Sequence, residues 1–482
     1  MTNIDFKSIR KALADLPSDH DASGNQRPRV EEIFTPEQHA NALDPNTPVV
    51  VGARGAGKSF WAGVLAEEKT RRVAAEAYPN LKLDRLIVIP GYDGLDADLT
   101  PKLLQFLVKD GDELKQGIKL WEAVIWRAAI AAAEETEDVS LKTLMNKLKN
   151  PEAFSKELKK LDAKLESLGK ILLVTFDALD TLSRDWQRSS RLVDTLFEVV
   201  WSLRARRNIK AKLFIRPEQL ADENLKFVEM PKLRGGSIEL TWSQTELYGL
   251  LFWRLYGTLK GNKGFSQLAT LVGAPLKNIG ASPRAWVLTH NSKVQKSAMS
   301  LLAGLYMGPS AKKGGTYDWP FKHLADAKGN VTPRSFVQLF KGAASNGEQL
   351  TQYAISPKGI QDGLRGASKV RVEELSIEYQ WIKRALLPLA GLLVPCDEAL
   401  IFKRWDDSKT ISTILEASID PNGGFLPPFP PNIKRSRNLM LSLAMERVGV
   451  FHSREDGRKD MPDLFRVAAQ MLKKGGISAK KN

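Results

Sequence analysis

Eight consecutive residues restrict this chain more than any other feature: Gly52-Ala53-Arg54-Gly55-Ala56-Gly57-Lys58-Ser59 follows the apolar run Val49–Val51 and precedes FWAGVLAEEKTRRVAAEA, which reads as a helix. Glycines let successive backbone N–H groups turn inward around an anion, and the helix N-terminus adds positive potential. In that geometry Lys58 reaches the β- and γ-phosphates of a nucleotide, and Ser59 offers its hydroxyl to Mg²⁺. The pattern alone also occurs in strand-to-helix turns that bind nothing, so the flanking strand and helix are what make it a phosphate loop. The expected cofactor-binding set is Gly52, Ala53, Arg54, Gly55, Ala56, Gly57, Lys58, Ser59 and Phe60.

The same alternation continues along the chain. After Val49–Val51, strand-like runs fall at 85–89 (RLIVI), 171–177 (ILLVTFD), 212–216 (KLFIR) and 237–241 (SIELT), with helical patterns between them. Short apolar strands alternating with helices predict a parallel sheet covered on both faces, hence an α/β core. The gap between the second and third runs exceeds what one crossover helix needs, which predicts an inserted helical element at about 95–168. Within it, Leu144, Leu148, Phe154, Leu158, Leu161 and Leu165 make an amphipathic helical hairpin, read as packing on the core or as a partner surface.

A Mg²⁺-dependent NTPase also requires a carboxylate at the end of a neighbouring apolar strand. Asp177 meets that requirement as a metal-holding residue alongside Ser59, and Asp180 is placed to polarise the attacking water or to cap the following helix. The run Asp177-Ala178-Leu179-Asp180, followed by Thr181, resembles the D-[small]-x-D-E pattern of NACHT-type STAND proteins and the DDLD of KAP-type ATPases. With the phosphate loop it is similar to the STAND and AAA+ divisions of P-loop ATPases over about residues 31–345. It departs from them at Ala178, where the KAP form and the AAA+ DE pair carry an acid, and at Thr181, where a Glu is usual. No N-K-x-D element follows on a suitable strand, so ATP is expected rather than GTP.

The resemblance implies further roles. Arg216, in KLFIRPEQL, falls at a sensor-like position on the fourth strand, and LTWSQTELYGLLFWRLYG resembles the fifth strand and first lid helix. Two Pro-Arg pairs compete for a lid sensor, Pro283-Arg284 after Ser282 and Pro333-Arg334 after Thr332; Arg334 is preferred because a helix, a loop and a new helix surround it. The catalytic set is therefore Lys58, Asp177, Asp180, Arg216 and Arg334. Arg204, Arg206 and Arg207 lie where an arginine finger toward a neighbouring subunit is presented, or they form a cation cluster at a helix C-terminus. ATP, Mg²⁺, a homo-oligomer and a separate effector protein are the implied partners.

The remaining organisation comes from composition and punctuation. With 71 Lys plus Arg against 56 Asp plus Glu, the net charge is +15, a basic excess that suits anionic partners such as nucleic acid or anionic lipid but is spread along the chain. Its densest clusters are Arg204, Arg206 and Arg207 with Lys210 and Lys212, then Lys434, Arg435 and Arg437, and the tail with Lys473, Lys474, Lys480 and Lys481. One cysteine, Cys396, precludes an intramolecular disulfide and a thiolate-cluster metal site, which points to a cytoplasmic setting. No apolar run is long enough to span a membrane. The domain reading is a polar, loosely ordered lead-in at 1–30, an ATPase core at 31–245, a helical lid at 246–345 and a mixed region at 346–482. That last region has a winged-helix pattern at about 433–482, whose His452, Arg454, Arg458 and Lys459 suit either DNA phosphates or a protein partner. Three functions follow: an ATP-gated switch of the kind STAND proteins use as regulators, including in anti-phage defence; a DNA motor or loader; and a non-hydrolysing ATP-bound scaffold.

Overall fold

Each apolar run becomes a strand of one parallel sheet: Val49–Val51 (β1), Leu86–Tyr92 (β2), Ile171–Phe176 (β3), Ile209–Ile215 (β4) and Ile238–Glu239 (β5), in the order β2-β3-β4-β1-β5. The computed structural model describes residues 4–17, 27–94, 98–134, 139–148, 150–183, 185–221, 225–259, 261–276, 283–346, 350–420, 424–429 and 436–478. The chain divides into two compact units, His20–Leu240 and a second that joins Met1–Asp19 to Thr241–Asn482.

In the first unit, strand periodicity sorts side chains onto two cores. Val49, Val51, Leu172, Val174, Leu213 and Ile215 face one core, and Val50, Leu173 and Phe214 face the other. Helices Lys58–Ala66 and Glu68–Ala77 supply Trp61, Val64, Leu65 and Ala74 to the second core. The inserted element, helices Glu113–Glu134, Leu141–Lys147 and Pro151–Ser167, covers the first face. Leu144, Leu148, Leu158, Leu161 and Leu165 are buried there and Phe154 packs against them, so this hairpin is part of the core.

Two sequence expectations need correction. Lys212 belongs to no surface cluster: it is fully buried on β4, and its Nζ donates to the carbonyls of Ala42 (2.8 Å), Asp44 (2.9 Å) and Thr47 (2.7 Å). The lead-in is also not loosely ordered throughout. Phe6–Ala14 is a helix whose N-cap Asp5 accepts from Ser8 N–H at 3.1 Å, and its Ile9, Ala12 and Leu13 are buried at i, i+3, i+4 spacing. It packs on helices Gln244–Leu259, Lys263–Leu271 and Pro333–Asn346 of the second unit, while Arg10 donates to the carbonyls of Tyr353 (2.8 Å) and Ala354 (2.7 Å).

Elsewhere in the second unit, helices Pro333–Asn346 and Pro357–Glu378 approach so closely that a Cβ on Gly363 would lie 2.1 Å from Leu339 O. Further on, Leu393–Val394 (β6) is followed by helices Glu398–Asp407, Thr410–Ser418 and Arg437–Arg447, then by the antiparallel pair His452–Ser453 (β7) and Lys459–Asp460 (β8). A bridge between Cys396 and Lys459 joins the β6 side to β8, and Leu472–Lys473 (β9) pairs with β6. Helices followed by a small hairpin on a short strand make this a winged-helix region. Its wing differs from expectation: Lys459 is buried and ion-paired with Glu446 and Glu398, and Arg458 pairs with Asp456 at 2.6 Å. Lys434, Arg435, Lys480 and Lys481 lie outside the described residues. Among the described residues no helix is long and apolar enough to cross a membrane.

Candidate nucleotide site

The phosphate loop leaves β1 at the C-terminal edge of the sheet, where ligands of parallel α/β folds bind. Gly52 N–H donates to Ile215 O at 3.1 Å, which ties the loop to β4. Gly55 and Gly57 take φ values of 79° and 106°, a left-handed turn that side-chain-bearing residues adopt at a cost. Helix Lys58–Ala66 starts directly after Gly57, so its unsatisfied N–H groups open onto the loop. Lys58 Nζ folds back across that loop and donates to Gly52 O and, at 3.2 Å, to Ala53 O.

The second half of the site comes from β3 and β4. Asp177 ends β3, is 8% exposed, and is hydrogen-bonded to the Ser59 side chain. Burial pushes its carboxyl above the ordinary carboxylate range, while the Ser59 hydroxyl and the Lys58 ammonium oppose that shift. Because β4 lies between β3 and β1, the residue that ends β4, Arg216, enters the same edge of the sheet. Its Nη2 donates to Asp180 Oδ2 at 2.7 Å, with Arg216 12% and Asp180 38% exposed. Lys58, Ser59, Asp177, Asp180 and Arg216 are thus brought to one end of the sheet.

The structure places the other candidates differently. Arg334 belongs to the second unit, where it opens helix Pro333–Asn346 and pairs with Glu374 at 2.6 Å; both side chains are about a tenth exposed. Arg284 is exposed in the short turn Pro283–Ala285, and Ser282 lies outside the described residues. Of the arginine cluster, Arg204 stacks on Trp201 at 4.0 Å, Arg206 reaches Ser155 at 3.4 Å, and Arg207 faces Glu166 at 3.8 Å.

Sequence reading missed one polar link. Tyr92 OH and Thr181 Oγ1 are 2.7 Å apart, and Thr181 Oγ1 donates to Ala178 O at 2.8 Å, which ties the end of β2 to the turn after β3. The apolar run read as a strand stops at residue 89, yet β2 runs on to Tyr92 because Gly91 lets the chain pass Phe176: a Cβ there would meet its ring at 2.6 Å.

The donor set fits Mg²⁺. Ser59 and Asp177 are hard oxygen donors joined side by side, and two protein ligands leave the remaining positions to water and phosphate oxygens. Among the described residues no cluster of three or more His, Cys, Asp or Glu side chains forms an independent metal site. A positive-φ glycine loop opening a helix, with a buried strand-end carboxylate beside the helix's first serine, defines a P-loop nucleotide-binding fold.

No protein-family model and no curated protein sequence matches the chain. Among solved structures it is similar to the Aeropyrum pernix ORC1 protein in complex with DNA (14% identity, 96% of this chain and 94% of that one, TM-score 0.34). It is also similar to Aeropyrum pernix ORC2 in ADPNP-ADP complexes (14%, 94% and 93%, 0.31) and to Cdc6p from Pyrobaculum aerophilum (12%, 94% and 95%, 0.27). Scores this low carry nothing about activity, which has to be read from the residues.

Proposed function

We propose that the chain is an ATP-binding, Mg²⁺-dependent P-loop ATPase that acts as a conformational switch. The observation that carries this reading is that two cations at this end of the sheet rest on protein acceptors, Lys58 on the Gly52 and Ala53 carbonyls and Arg216 on Asp180. A β-phosphate already competes for Lys58, whereas only a γ-phosphate competes for Arg216, so ATP redistributes the Arg216–Asp180 contact that ADP leaves in place. The backbone N–H groups of residues 52–60 cradle the phosphates, Lys58 neutralises the β- and γ-oxygens, and Arg216 turns from Asp180 toward the γ-phosphate. Ser59 and Asp177 hold Mg²⁺, which, when bound, offsets charge that develops on the phosphates. A homo-oligomer and a separate effector would read the two states, as in the STAND regulators the motif resembles.

The test is equilibrium binding of ATP and ADP to the purified chain with Mg²⁺. Lys58→Ala is expected to weaken ATP binding by about tenfold or more, the loss of a charge-assisted contact. Arg216→Ala is expected to remove the preference for ATP over ADP while leaving ADP affinity within about threefold. Equal ATP and ADP affinities in the unaltered protein would sink the switch.

A second reading, a DNA-engaging ATPase, is favoured by the winged-helix region and the +15 charge. The wing tip itself balances Arg454 and Arg458 against Glu455 and Asp456, so this reading requires contacts from the helices as well. It predicts DNA-stimulated turnover that falls steeply between low and moderate salt.

A further inference from the structure

Three carboxylates follow the C-terminal ends of β2 and β3. Asp177 is buried against Ser59, and Asp180 accepts a hydrogen bond from the Arg216 guanidinium. The position after Asp177 carries no acid: Ala178 stands there in the left-handed conformation, φ 53°. The end of β2 lies beside that position. Tyr92 pairs with Phe176, its carbonyl accepts Asp177 N–H at 2.8 Å, and its hydroxyl meets Thr181. Gly94, at φ 98°, passes so near that a Cβ on it would lie 3.4 Å from Ala178 Cβ. The residue between Tyr92 and Gly94 is Asp93, and it is exposed.

We propose that Asp93, directly after β2, supplies the proton-accepting carboxylate that the position after Asp177 lacks, so that the chain hydrolyses ATP in spite of Ala178. The inference rests on the ATP reading above. Water oxygen forms a bond to the γ-phosphorus, the bond from that phosphorus to the β–γ bridging oxygen breaks, and the electron pair leaves with ADP. The water proton passes to the Asp93 carboxylate and from there to solvent. The links from Tyr92 to Asp177 and Thr181 fix the backbone next to Asp93 beside the turn that follows β3.

The experiment measures binding of a non-hydrolysable ATP analogue and ATP turnover from pH 4.5 to 8, on the full chain and on Asp93→Asn, Asp93→Glu and Asp180→Asn. Asp93→Asn is expected to lower kcat by about 100-fold or more while analogue affinity and the melting midpoint hold, and to abolish the acid limb of the pH profile. Asp93→Glu restores part of the rate, and Asp180→Asn keeps the acid limb. A kcat within threefold of the unaltered chain in Asp93→Asn, or an acid limb that disappears in Asp180→Asn instead, overturns the inference. So does an unaltered chain that binds the analogue but turns over no ATP, a result that leaves the nucleotide reading standing. Failure to bind the analogue removes both.

Discussion

At the scale of single residues, Lys212 shows what a composition count hides. Its ammonium is out of water, with three carbonyls accepting three protons, and burial pulls its pKa down to about 7 against the opposing charge of Asp44. The sign for stability follows from proton counting. Below pH 7 both folded and unfolded chains carry the proton, and the cost of burying the charge is fully present. From there up to the unfolded value the folded state releases its proton while the unfolded state keeps it, so stability rises with pH across that window. Urea midpoints measured from pH 7 to 9.5 are expected to climb for the unaltered protein and to stay flatter for Lys212→Met. Lys212→Met also leaves carbonyls unpaired, at about 1–3 kcal/mol each. An equal climb in both proteins removes Lys212 as the cause. Residue identity misleads at this position because Lys is read as surface, whereas the phosphate loop, Ser59 and Asp177 were legible from local pattern alone. Asp93 was not, because its place depends on the cross-strand pairing of Tyr92 with Phe176.

At the scale of elements, helices Pro333–Asn346 and Pro357–Glu378 offer a controlled comparison. Gly363 faces Leu339 O so closely that any side chain must push the helices apart, whereas Gly366, one turn on, has nothing within 4 Å of its would-be Cβ. Gly363→Ala is expected to destabilise by about 1–3 kcal/mol through overpacking, and Gly366→Ala to stabilise by up to about 1 kcal/mol through helix propensity. Chemical denaturation of the two variants tests the pair, and equal effects contradict the close packing. The five strands and the inserted hairpin were readable because apolar period and element agree there. β4 starts earlier than its apolar run, at Ile209, because Lys210 and Lys212 interrupt the pattern while the ladder with β3 continues through both. The winged-helix region was only partly readable, since its strands are two residues long and the bridge from Cys396 to Lys459 joins distant segments.

At the scale of the whole molecule, helix Phe6–Ala14 is packed with residues that come after the entire nucleotide unit. Deletion of residues 1–16 is therefore expected to lower the stability of the Thr241–Asn482 unit while ATP affinity stays within about twofold, as read by hydrogen exchange and nucleotide titration. Loss of nucleotide binding would place the helix's role elsewhere. During synthesis this helix leaves the ribosome before the nucleotide unit, and its partner Pro333–Asn346 emerges only after more than three hundred further residues. At roughly 5–20 residues per second that is a wait of about 15–65 s. Until residues 244–346 have emerged, Ile9, Ala12 and Leu13 lack the helices that bury them, so the nascent chain carries an apolar face that its second unit covers in steps.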